Sequence, residues 1–135
     1  MNKENRTEKR VLGDLGEDIA CKFLQRKGFS IIERNYLRKW GEIDIIAEKE
    51  KKTRFIEVKS VSREIDAGFS RETEGYRPED NLHPWKLLRL SRTIQTYLAS
   101  HTVSREMDWQ FDVITVYIDK NRRISKVFML ENVIL

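Results

Sequence analysis

Asp44, in the stretch GEIDIIAE, and the triplet Glu57-Val58-Lys59, in RFIEVKS, set charge in the middle of runs that are otherwise apolar. Burying a charge is costly unless it is paired, hydrogen-bonded or bound to a metal, so these three residues call for a chemical explanation. Side chains alternate across a strand, which sends Phe55, Glu57 and Lys59 to one face and Ile56 and Val58 to the other. With a hairpin turn centred near Glu50 and Lys51, Asp44 falls opposite Glu57, their Cβ atoms roughly 4.5–5.5 Å apart. A slip of one residue would turn Asp44 to the opposite face. Two ionised carboxylates that close repel, and either one takes up a proton or a cation sits between them.

Magnesium suits such a place, because it takes oxygen ligands, keeps several waters and is held by one or two carboxylates plus substrate phosphate; manganese is the alternative ion. The metal can polarise a phosphoryl oxygen and acidify a bound water, and Lys59 can orient that water or steady the developing charge. In outline this is phosphodiester hydrolysis. A second reading of the same residues is a structural ion pair of Asp44 with Lys59 across the hairpin. Glu17 is a fourth candidate: on a helix it lies near the angular position of Ala20 and Leu24, at the edge of the buried stripe, from where it can reach the metal. Its plainer reading is an early-helix glutamate that favours the helix dipole.

The elements that must position these residues are legible from periodicity. Val11, Leu12, Leu15, Ile19, Ala20, Phe23 and Leu24 recur at helical spacing from about Glu8 to Lys27, and Gly28 is a stop signal. FSIIERNYL, GEIDIIAE and TRFIEVKSV read as three strands, the last two joined by EKEKK as an antiparallel hairpin. A polar stretch over about 62–82 reads as a long loop, of a length that is uncommon inside a domain and often functional. After His83-Pro84 a second helix runs to about Ser100 with Leu87, Leu90, Ile94, Tyr97 and Leu98 as its buried stripe. WQFDVITVYI and RRISKVFML complete the order as two more strands. The expectation is one α/β domain over residues 1–135.

Composition bounds the rest. The chain has 135 residues, 39% hydrophobic and 36% charged, which is highly charged yet above the low hydrophobicity of disorder. A net charge of +4 and a pI near 9.2 suit a polyanionic partner. The single cysteine, Cys21, excludes an intramolecular disulfide, a cysteine-rich zinc site and a dithiol redox motif, and reads as a small apolar residue. The opening MNKENRTEKR is not followed by an apolar run of signal-peptide type, and no run is long enough to span a bilayer. A cytoplasmic protein with no membrane partner is expected.

The run GEDIACKFLQRKGFSIIERNY, then GEIDIIAE and FIEVKS, resembles the YraN family of small bacterial proteins, over nearly the whole chain and including Lys86 and the QFDVITV strand. It is similar through the same residues to archaeal Holliday-junction resolvases and the wider PD-(D/E)xK superfamily. The resemblance implies a restriction-endonuclease-like core, a central mixed five-stranded sheet flanked by helices in the order α-β-β-β-α-β-β, with magnesium at the active site. It implies metal-binding roles for Asp44 and Glu57, a catalytic role for Lys59, and completion of the site by Glu17. Glu42 belongs to the family motif, with no role beyond an outer one. Ile43 stands where the superfamily has proline. Family members follow the lysine with a small residue and arginine, whereas this chain reads Lys59-Ser60-Val61; Arg63 is the candidate substitute for that phosphate contact.

Nucleic-acid contacts follow from charge. Lys86, Arg89 and Thr93 fall on one face of the second helix, away from Leu90 and Ile94, where the cations can neutralise phosphates without reading sequence. Phe69, Tyr76 and Trp85 are candidates for stacking on unpaired bases, with packing as the plainer role. His83 and His101, at the ends of the second helix, read as capping or exposed residues. Asp112 reads as structural, for instance as the anchor of a loop arginine. The resulting expectation is a metal-dependent nuclease acting on DNA, with branched or junction DNA in view and a two-fold dimer as the assembly that would cut both strands of a symmetric junction. The alternatives are a nucleic-acid-binding module that does not cut, and a protein-interaction domain.

Overall fold

The computed structural model describes residues 3–70, 82–101 and 108–135. Its elements are α1 (Lys3–Arg26), β1 (Ser30–Arg38), β2 (Gly41–Lys49), β3 (Lys52–Ser62), α2 (Pro84–Ser100), β4 (Trp109–Asp119) and β5 (Ile124–Leu130). This is the expected order, and the strands form one mixed sheet in the order β1-β2-β3-β4-β5. Neighbours are antiparallel except β3 and β4, which run parallel and are connected by the stretch that contains α2, as a parallel pair requires a long crossover. The expected loop over 62–82 falls partly outside the described residues, and Tyr76 with it.

Local chemistry explains the boundaries. Gly28, at φ 91°, ends α1: its N–H donates to Gln25 O at 3.1 Å and the Phe29 N–H to Leu24 O at 3.0 Å, a glycine stop of the usual left-handed kind. The β2–β3 turn is Glu50-Lys51, with φ of 54° and 64°, so both central residues adopt the twist that a two-residue hairpin demands. His83 caps α2, its Nδ1 accepting from Trp85 N–H at 3.2 Å. His101 closes the same helix through its N–H to Tyr97 O at 3.1 Å and stacks on the Tyr97 ring at 4.0 Å. Both histidines therefore have capping roles.

Each face of the sheet is covered by one helix. On one face Ala20 and Leu24 of α1 pack with Ile45, Ala47, Ile56, Ile114 and Val116 of the sheet. On the other face Leu90, Ile94 and Tyr97 of α2 pack with Tyr36, Ile46, Phe55 and Val113 of the sheet. Two readings of the helix faces need correction. Val11 and Leu15 are exposed rather than buried, because the stripe that meets the sheet runs through Gly16, Ala20 and Leu24, about 100° round the helix from Leu15. Thr93 is fully buried and not part of a basic surface; its hydroxyl donates to Arg89 O at 2.8 Å, which lets a polar residue sit among apolar ones. Asp112 is structural as expected, but its arginine comes from a strand and not from a loop. It faces Arg54 of β3 at 3.7 Å, and its Oδ1 accepts from Gln110 Nε2 at 2.7 Å and Asn132 N–H at 2.8 Å.

Candidate active site

The ladder between β2 and β3 runs from Lys49↔Lys52 to Ile45↔Ile56. One step further that register sets Asp44 against Glu57, the pairing expected from the turn. Here the backbone pairing has stopped, and the Asp44 side chain takes its place: Oδ2 accepts the Val58 N–H at 2.8 Å. An acid at the point where two strands part thus satisfies a donor that would otherwise lack a partner.

Glu57 and Lys59 share the α2 face of β3, and Lys59 Nζ lies 3.4 Å from Glu57 Oε1. From the first turn of α2, Lys86 reaches across and places its Nζ 2.6 Å from the same oxygen. Glu57 is 5% exposed and sits between two ammonium groups. The carboxyls of Asp44 and Glu57 share a hydrogen bond, and Asp44 is pushed up to about 8, by burial first and by the Glu57 charge second, against the lowering effect of Val58. Lys59 is lowered from the usual lysine range by burial and by its hydrogen bond with Lys86. Lys86 itself is raised: burial favours its neutral form, but the hydrogen bond and charge of Glu57 outweigh it. The cluster therefore holds one proton between two acids, beside a lysine that releases its proton more readily than usual and a second lysine that holds its proton more firmly.

Glu17 approaches from the α1 side. Close approach is possible because Gly16 lies directly on Ser60 of β3, where even a methyl group would overlap the Ser60 side chain. Glu17 adds its charge to the field at Asp44, sits 3.7 Å from Arg34, and has its pKa raised chiefly by burial. Among the described residues no three acidic, histidine or cysteine side chains draw together into a ligand cage. Asn35 is a residue that sequence reasoning missed. It stands between Arg34↔Ile45 and Tyr36↔Ile43, opposite Asp44, with φ 53°. With its nitrogen turned to the acids, its amide donates to Glu17 Oε1 at 3.0 Å and to Glu42 Oε1 at 2.8 Å. The signal was an asparagine, a residue that tolerates the left-handed region, interrupting the strand FSIIERNYL.

Asp44, Glu57, Lys86 and Arg89 line an open cleft of about 620 Å³, with Glu42, Gly41 and Trp85. Lys86 and Arg89, expected to be phosphate contacts, are brought to the acids. Arg63 is not: its guanidinium lies over the Phe69 ring at 4.8 Å, and it borders a separate surface with Asp119 and Arg122, where the Asp119 carboxylate pins the loop by accepting Ile65 N–H at 2.9 Å. Phe69 packs against Tyr117 at 5.2 Å, a packing contact.

The model of the family described as "Uncharacterised protein family UPF0102" matches residues 16–116. The chain belongs to the UPF0102 family. It is 35% identical to the UPF0102 protein of Campylobacter lari, over 87% of this chain and 93% of that one. It is 38% identical to the UPF0102 proteins of Flavobacterium psychrophilum, over 90% and 91% of the two chains, and of a Sulfurovum species, over 93% and 96%. The UPF0102 match spans every residue of the cluster, from Glu17 to Arg89, and is the YraN-like family expected from the sequence. Among the described residues of this UPF0102 chain, no helix is long and apolar enough to cross a membrane.

Proposed function

We propose that this chain is a metal-dependent nuclease that hydrolyses phosphodiester bonds in DNA, built on a restriction-endonuclease-like core, with branched or junction DNA the first substrates to try. The observation that carries the reading is the contact of Asp44 with Glu57 on a cleft that Lys86 and Arg89 also line. Two acids so close that one keeps a proton to about pH 8 leave a deficit of positive charge that a dication would fill. The donor set fits magnesium or manganese: Asp44 and Glu57 would hold the ion directly, Glu17 through water, and substrate phosphate would complete the shell. Bound there, the ion would supply a Lewis acid for the phosphoryl oxygen and an acidified water.

The chain's own side chains have separate tasks. Lys59, whose ammonium gives up its proton more readily than an ordinary lysine, orients the attacking water and, once neutral, can take its proton. Lys86 exchanges Glu57 for a phosphate oxygen as the substrate enters, and Arg89, one turn further along the same helix, holds the next phosphate. Asn35 fixes the positions of Glu17 and Glu42 through its amide. A second reading, a binding module that does not cut, is favoured by one fact: Glu57 is already satisfied by Lys59 and Lys86.

Incubation of labelled duplex, junction and single-stranded DNA, and of RNA, with the protein and either ion separates the two. The expected result is cleavage that needs the ion and falls by about a hundredfold or more in Lys59→Ala, while binding survives. Intact binding with no cleavage of any substrate would leave only the binding module.

A further inference from the structure

A second groove adjoins the acidic cleft, and of its residues the reaction above uses only Arg89. Its wall is formed by the β1–β2 turn and the outer face of α2, it has a volume of about 600 Å³, and it shares Gly41, Trp85 and Arg89 with the first. Two indole rings border it. Trp85, at the start of α2, is 68% exposed, and Trp40, in the turn, is 41% exposed. Four cations accompany them: Arg38, Lys39, Arg89 and Arg92. Among the described residues lining the groove there is no carboxylate. Lys39 Nζ lies 5.4 Å from the centre of the Trp40 ring and the Arg92 guanidinium 5.2 Å from it.

Large apolar rings left in water cost free energy, and two in one concave surface whose charged residues are all cationic, with Leu37 and Leu88 beside them, fit a ligand with flat faces and negative charge spaced along it. Single-stranded nucleic acid has that chemistry: each base offers a face to stack on, and each link a phosphate to pair. A duplex has the phosphates but keeps its base faces inside the stack, so it would leave the indoles unused. We infer that the groove bordered by Trp40 and Trp85 binds an unpaired strand that leaves the acidic cleft, and that the substrate is a DNA with a single-stranded extension beside the phosphate in the cleft. This rests on the nuclease reading for its substrate, since Trp85 and Arg89 belong to both grooves.

The test is binding in the presence of chelator, so that no cutting occurs. A blunt duplex and the same duplex carrying a single-stranded extension with 2-aminopurine near the junction are titrated with wild type, Trp85→Ala, Trp85→Phe and Trp40→Ala. The extension should tighten wild-type binding by about tenfold or more and its 2-aminopurine should be quenched. Trp40→Ala should remove most of both effects without changing affinity for the blunt duplex, Trp85→Ala should weaken binding of the extended DNA more than binding of the blunt duplex, and Trp85→Phe should restore most of the gain. Equal affinity for both DNAs, or a gain that survives both alanine substitutions, overturns the inference, as does tryptophan-dependent binding to anionic phosphatidylglycerol vesicles in place of DNA. The two proposals fail separately. A tryptophan-dependent gain without ion-dependent cleavage removes only the nuclease, and ion-dependent cleavage without that gain removes only the stacking groove.

Discussion

Asp44→Asn should make the metal-free protein more stable at neutral pH, and by an amount that grows with pH. The carboxyl ordinarily titrates at 3.8 and here at about 8, so between those values the folded chain binds a proton that the unfolded chain has lost. Stability then falls as pH rises through that window. Each pH unit is about 1.4 kcal/mol, which from the ordinary value to pH 7 accumulates to about 4 kcal/mol as an upper bound, because the carboxyl retains access to water through the cleft. Asparagine is neutral at every pH and keeps an oxygen for the Val58 N–H, so it escapes this cost. Urea unfolding with chelator, at several values from pH 4 to 8, should give curves that coincide near pH 4 and diverge steadily above it. Added magnesium should then stabilise the wild type and not the variant, and its affinity for the wild type should rise by about tenfold per pH unit below pH 8 as binding displaces the proton. Wild-type and variant stabilities that stay parallel across the range would refute the shared proton and with it the argument that a dication is missing from the pair.

Gly16→Ala should cost about 1–3 kcal/mol in thermal or urea unfolding, since the new methyl meets Ser60, and Gly16→Ala with Ser60→Gly should recover most of it; full stability in the single variant would show that α1 does not need this approach. Arg54→Met should destabilise by about 3 kcal/mol, increasingly toward neutral pH, because Asp112 is raised by burial and Arg54 is the cation that opposes the rise. Adding Asp112→Asn should return most of that loss, and a double variant no better than Arg54→Met alone would dissociate the pair.

The sheet was readable because its signals are local. Strand runs alternate, the hairpin link is short, and Pro84 and Gly28 punctuate the helices, so the element order and the Asp44–Glu57 register follow from residues near each other in sequence. What was not readable depends on residues far apart. Lys86 was expected to touch phosphate on a solvated face, but its ammonium lies on Glu57, because α2 packs over the neighbouring β2 and the lysine side chain is long enough to reach the β3 acid. Thr93 counted as surface by spacing alone, yet helix–sheet packing buries it with its hydroxyl donating a hydrogen bond to Arg89 O. Asn35 gave only a faint interruption in a strand; its meaning lies in two carboxylates, one contributed by α1 and one by the far side of a turn. Trp40 was invisible as a partner of Trp85, since 45 positions of chain separate them.

The Glu50-Lys51 turn works as a ruler. Six residues run back from it to Asp44 and six run forward from it to Glu57, roughly 20 Å of strand at the usual rise, and the two acids meet because the two lengths are equal. What such a turn must preserve is a count, whatever its composition. Other pairs of residues that accept its twist can replace Glu50 and Lys51 at the distant end of the hairpin and leave the cleft intact. A single inserted residue would shift one arm against the other and move the pairing of the acids by one position, at a distance from the edit where no contact has been touched.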